Sequence, residues 1–154
     1  LDLAIASGII TANNLGAGAI QRVKRNARRA MGYNVGIMLV FGIVFFSLAN
    51  QVVGIFDKNP EVISTGIDYL RITILGWPLL AGWTILKWVF VGARDTKTPF
   101  FVSLITLAGI QITLTIFLPK LLGLNGIWYA ILAATLVQGL ISGFLFHRGK
   151  WKTD

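Results

Sequence analysis

Residues 32–56, GYNVGIMLVFGIVFFSLANQVVGIF, contain no charged side chain. At about 1.5 Å of rise per residue, a helix of this length crosses the roughly 30 Å hydrocarbon core of a bilayer. Outward from this run, four more charge-poor segments follow the same pattern, over residues 1–18, 61–93, 99–118 and 124–146, bounded by charge, proline or glycine. Of 154 residues, 55% are hydrophobic and 13% charged, and mean hydropathy is +0.74. Those values lie far from a soluble domain. The expected fold class is all-α, a polytopic helical membrane protein with about five transmembrane helices. The chain opens on Leu1 with no basic stretch and cleavage site, so the opening reads as a piece of a hydrophobic segment and not as a signal peptide.

Fourteen Lys and Arg against six Asp and Glu give a net charge of +8. The excess falls in short connections, which argues for an orientation signal and against a nucleic-acid partner. Arg22, Lys24, Arg25, Arg28 and Arg29 fill the first connection, Arg94 and Lys97 the third, and Arg148, Lys150 and Lys152 the tail over 147–154, whereas the second and fourth hold Lys58 and Lys120. Retention of positive charge on the cytoplasmic side puts the first, third and C-terminal clusters inside, in a plasma or inner membrane. The lipid bilayer is the first expected partner. Over residues 19–30, Ile20, Val23, Ala27 and Ala30 share one helical stripe, with the basic residues opposite. This pattern predicts an amphipathic helix lying along the inner surface, drawn to anionic lipid; docking of a cytosolic partner is the alternative.

The chain has no cysteine and a single histidine, His147, which removes disulfides, thiolate catalysis and Cys or His metal sites. A phosphate-cradling glycine loop followed by Lys-Ser or Lys-Thr is missing as well. No catalytic constellation is left, so the expectation is a non-enzyme without cofactor or metal.

Ionisable groups within spans are expensive and so are functional candidates. Asp68 and Arg71 stand three apart near the outer end of the third segment, where they can form a structural pair or, at Asp68, an ion site. Lys87, about two turns from the inner end of that segment, either snorkels to the interface or faces a watery cavity. Gln111 and Thr115, and Thr135, Gln138 and Ser142, recur at helical spacing, as interhelical glue or as the lining of a polar path. Gly32 with Gly36, and Gly139 with Gly143, permit close helix approach. Pro78 is expected to kink the third segment. Trp77 and Trp83, at mid-depth, either line a cavity for flat or cationic ligands or pack against neighbours. Asp57 is the expected cap of the helix that Pro60 opens.

Four stretches in order resemble the multidrug and toxic compound extrusion (MATE) transporters. Asn13-Asn14-Leu15-Gly16-Ala17-Gly18 resembles the ending of the second helix of a lobe, and Ile55 to Val62 with Tyr69-Leu70-Arg71-Ile72 resembles a stretch further on. Gly92-Ala93-Arg94-Asp95-Thr96-Lys97-Thr98-Pro99 is similar to the family's Gly-Asp-Thr-Lys-Thr-Pro loop, and Leu124 to Ala130 to the opening of a lobe's last helix. Asn13 stands where the family usually has Gln, Val91 where Arg is frequent, and Arg94 where Gly is common. The resemblance implies five helices of a twelve-helix, two-lobe transporter, matching helices eight to twelve, with helices two to six as the other placement. It implies a secondary antiporter that exports drugs or organic cations in exchange for sodium ions or protons, with the N-terminal lobe and a small-molecule substrate as partners. A flippase for lipid-linked oligosaccharides of the same superfamily and a non-transporting membrane scaffold are the alternatives. Candidate cavity residues are Trp77, Trp83, Lys87, Gln111 and Gln138. Asp68 is the ion-coupling candidate, and Gly16, Ala17, Gly92, Asp95, Thr96 and Pro99 are the structural motif positions.

Overall fold

The computed structural model describes residues 2–149; Leu1 and the tail residues Lys150, Trp151 and Lys152 lie outside them. Every element among the described residues is a helix: α1 (Asp2–Gly16), α2 (Ile20–Ser47), α3 (Ala49–Phe56), α4 (Pro60–Ile74), α5 (Trp77–Gly92), α6 (Lys97–Leu104), a π-helical segment (Ile105–Gln111), α7 (Ile112–Phe117), α8 (Pro119–Leu122) and α9 (Asn125–Arg148). Three continuous runs, Ile20–Ser47, Lys97–Leu122 and Asn125–Arg148, are long and apolar enough to cross a membrane, and the bent pair α4 and α5 makes a fourth crossing if it forms one span. The remaining expected segment, α1, is described over 15 residues, about 22 Å of helix.

α5 is the centre of the packing. Apart from Thr84 and Lys87 its side chains are apolar, and it touches α1, α2, α6 and α9. Ile85, Leu86, Val89 and Phe90 of α5 form the main core with Ala4, Val23, Ala27, Ala30 and Phe146. Because this core joins the first turns of α2, the last turns of α5 and the end of α9, the three basic connections converge on one end of the bundle. At the other end, Asp68 of α4 meets Asn125 at the start of α9.

Two local features depart from the sequence reading, and the kink expected from Pro78 is present. The segment over 19–30 is no separate helix: it is the first turns of α2 and runs straight on through residues 32–47. Its apolar stripe packs on protein, since Val23, Ala27 and Ala30 are buried against α5 and α9, so that face is not available to lie in the membrane. The bend in the third segment, 52°, falls at Leu75 and Gly76, upstream of Pro78. A proline ring clashes with the carbonyl four residues earlier, here Ile74, the last residue of α4. Finally, α4 is capped by Asn59, whose side chain accepts from the Glu61 N–H at 3.0 Å. Asp57 instead accepts from the Asn59 N–H at 2.8 Å and shapes the turn that leads in.

Glycine permits close approach at several crossings, and the tightest joins α1 to α5. A Cβ on Gly92 would collide with the backbone carbonyl of Gly8, and one on Gly8 would stand 2.9 Å from the Trp88 carbonyl oxygen; α1 and α5 are therefore in backbone contact. Gly139 receives Leu79, whereas nothing lies within 4 Å of a Cβ on Gly32, Gly36 or Gly143. Among the described residues, the first Gly-x-x-x-Gly pair thus mediates no helix approach.

Candidate functional site

A cavity of about 500 Å³ opens between α1, α2 and α5, lined by Ala4, Asn34, Ile37, Met38, Phe41, Phe45, Trp77, Leu80, Ala81 and Thr84. Its volume lies in the range of small-molecule pockets, and its lining is apolar and aromatic with a few polar groups. The bend ahead of α5 brings Trp77 to its wall, where the indole meets Phe45 edge-on at 5.9 Å between ring centres. The Asn34 side-chain amide donates to the Ala81 carbonyl oxygen at 3.0 Å. An amide carries two donors and an oxygen acceptor, so this bond ties α2 to α5 and still leaves hydrogen-bonding capacity at the wall. Thr84 turns its hydroxyl back to the Leu80 carbonyl at 2.8 Å, which leaves the Asn34 amide as the main polar feature. Reading the sequence did not single out Asn34; the available signal was an amide inside an otherwise apolar span.

Of the cavity candidates, Trp77 lines this space. Trp83 is 6% exposed and packs in the interior, and Gln138 is 9% exposed. Lys87 is on the exposed side of α5, and Gln111 is half-buried at the end of the π-helical segment. The polar residues of α9 are partly satisfied within that helix: Thr135 donates to the Ile131 carbonyl at 2.9 Å, and Ser142 to that of Gln138 at 2.8 Å. Asp68 is half-buried. Its carboxylate accepts from the Asn125 side chain at 3.3 Å, while the Arg71 guanidinium lies over the Phe46 ring at 5.4 Å. The expected Asp68–Arg71 pair therefore does not form, because each group has a partner on a different helix. Next to Asp68, Tyr69 packs edge-on against Trp128 at 4.8 Å.

The MatE family model matches residues 1–117, which covers α1 to α7 and all of the cavity. The chain belongs to the MatE family. Among MatE relatives, a probable multidrug resistance protein NorM of Deinococcus radiodurans is 25% identical over 96% of this chain and 35% of its own length. Protein DETOXIFICATION 15 of Arabidopsis thaliana is 27% identical over 97% of this chain and 32% of its own. A solved structure described as the inward-facing conformation of a multidrug resistance MATE family transporter superposes with a TM-score of 0.80 at 19% identity, over 93% of this chain and 34% of that one. This likeness establishes a MATE transporter fold. The chain spans about a third of the length of the relatives it matches, and it is an integral membrane protein.

The motif positions of this MatE chain do structural work around the connections. Gly16 ends α1 and Ala17 follows it, both exposed. Gly18, with φ +68, then closes the helix through bonds from its own N–H to the Leu15 carbonyl and from the Ala19 N–H to that of Asn14. The end of α5 repeats this closure: the Arg94 N–H bonds the Val91 carbonyl and the Asp95 N–H that of Phe90. The residue in the left-handed position here is Arg94, φ +61, where glycine is the usual occupant. Asp95 then accepts from the Thr98 N–H at 3.0 Å, capping α6, with Thr96 exposed and Pro99 buried in the first turn. Arg94→Gly is expected to stabilise the chain by about 1 kcal/mol through relief of the left-handed strain. Asp95→Ala is expected to destabilise it by about 1 kcal/mol through loss of the cap. Opposite shifts of the thermal midpoint in detergent check both.

Proposed function

We propose that the whole protein is a secondary antiporter that exports drugs, organic cations or related metabolites in exchange for sodium ions or protons. The observation that carries this reading is the MatE match over residues 1–117. The aromatic cavity of about 500 Å³ beside Trp77 adds support, since aromatic faces attract flat and cationic molecules. This chain contributes helices of the C-terminal lobe and meets an N-terminal lobe across the transport path. Its basic end faces the cytoplasm, a reading supported by the convergence of Arg22 to Arg29, Arg94, Lys97 and Arg148 on one end of the bundle. Asp68 is this chain's own carboxylate candidate for coupling to the ion gradient.

In vesicles with an imposed proton or sodium gradient, the whole protein is expected to move a fluorescent organic cation against its concentration. Transport that ignores both gradients, or none across a broad dye panel with folded protein, would overturn the reading.

A further inference from the structure

Arg22, Arg25, Arg28 and Arg29 are exposed on the first turns of α2. Gln21, Lys24, Arg25, Arg28 and Arg29 enclose a concavity of about 320 Å³ along that face. No Asp or Glu occurs anywhere in residues 3–56. Arg25 and Arg29, four residues apart, and Arg22 and Arg25, three apart, are like-charge neighbours on one helix and repel each other. The opposite stripe, Val23, Ala27 and Ala30, is buried in the protein core, so the basic face is held outward by packing and its orientation needs no membrane insertion.

Depth identifies the partner. The charge-free part of α2, residues 30–47, spans about 27 Å, close to the roughly 30 Å of a hydrocarbon core. Because the helix continues without a break, its basic turns begin where the hydrocarbon ends, at the level of lipid phosphates. Guanidinium groups bind phosphate in a planar, bidentate manner, and the concavity supplies several of them at fixed helical spacing. We infer that Arg25, Arg28 and Arg29, with Gln21, form a discrete binding site for the phosphate headgroup of an anionic phospholipid. Such a site is saturable and depends on the positions of the charges, whereas adsorption of an amphipathic helix depends on net charge alone.

The test uses the whole protein in neutral detergent micelles, titrated with phosphatidylglycerol or phosphatidylcholine and read by native mass spectrometry. Phosphatidylglycerol is expected to saturate at one or two molecules and to bind at least about tenfold more tightly than phosphatidylcholine. Affinity is expected to fall at least about tenfold in R25Q/R28Q/R29Q and equally in R25Q/R28Q/N13K/A17K, which keeps the net charge of the wild type but moves two positive charges to exposed positions of the neighbouring turn. Wild-type affinity in the charge-relocated variant, or equal retention of both lipids, would overturn the site in favour of a diffuse field. Displacement of the lipid by millimolar inorganic phosphate would overturn the lipid as its occupant in favour of a free anion. Salt supplies an arm that needs no variant: raising it about tenfold is expected to release phosphatidylglycerol from the wild type, and undiminished retention would count against the proposal.

Discussion

Gly92→Ala is expected to destabilise the chain by about 3 kcal/mol, the upper end of what an added methyl costs in a packed interior. A methyl at Gly92 would run into the backbone carbonyl of Gly8, and a backbone atom cannot swing aside like the end of a side chain. Relief requires α1 and α5 to move apart along the crossing that positions the core around Val89 and Phe90. Gly8→Ala meets the Trp88 carbonyl on the same crossing and is expected to be nearly as damaging. Gly16 is the control: it ends α1, a Cβ there meets nothing within 4 Å, and Gly16→Ala is expected to be neutral or slightly stabilising. Thermal melting of the three variants in one detergent decides the matter, and equal midpoints for Gly92→Ala and Gly16→Ala would refute the backbone contact.

The two mid-depth tryptophans are expected to separate stability from ligand binding. Trp83→Ala removes a side chain that is 6% exposed, and the cavity left behind is expected to cost about 3–5 kcal/mol. Trp77→Ala removes one wall of the cavity between α1, α2 and α5 and its edge-on contact with Phe45. Its expected stability loss is smaller, about 1 kcal/mol, with affinity for a fluorescent organic cation reduced about tenfold or more in the whole protein. Paired melting and dye titration on both variants test this, and parallel losses in the two measurements would reduce Trp77 to a packing residue.

Local chemistry made much of this legible in the sequence. Charge-free runs and the clusters Arg22 to Arg29, Arg94 with Lys97, and Arg148 require no knowledge of neighbours, because the cost of putting a charge in hydrocarbon is paid residue by residue. The breaks followed from single residues as well: Pro60 opens α4, and Pro78 forces the bend that falls one turn before it. The resemblance of Gly92 to Pro99 to a family loop was likewise a matter of adjacent residues.

Which faces meet was decided by tertiary structure. In water a buried face is marked by its hydrophobicity, but in a bilayer a leucine against lipid and a leucine against protein are equally apolar. The pattern alone therefore could not separate Trp77, at the cavity, from Trp83, in the interior, nor identify Asn34 as the residue that reaches Ala81. The same ambiguity let the stripe Val23, Ala27 and Ala30 read as membrane-facing although it packs on α5 and α9, and let Asp68 read as the partner of Arg71 although Asn125 of a distant helix reaches it. The sequence by itself determined where the helices lie and which end is basic, since both follow from the solvation of individual residues. Only the tertiary structure decided which side chains share a space, since that depends on the close approach of helices far apart in the chain, as at Gly8 and Gly92.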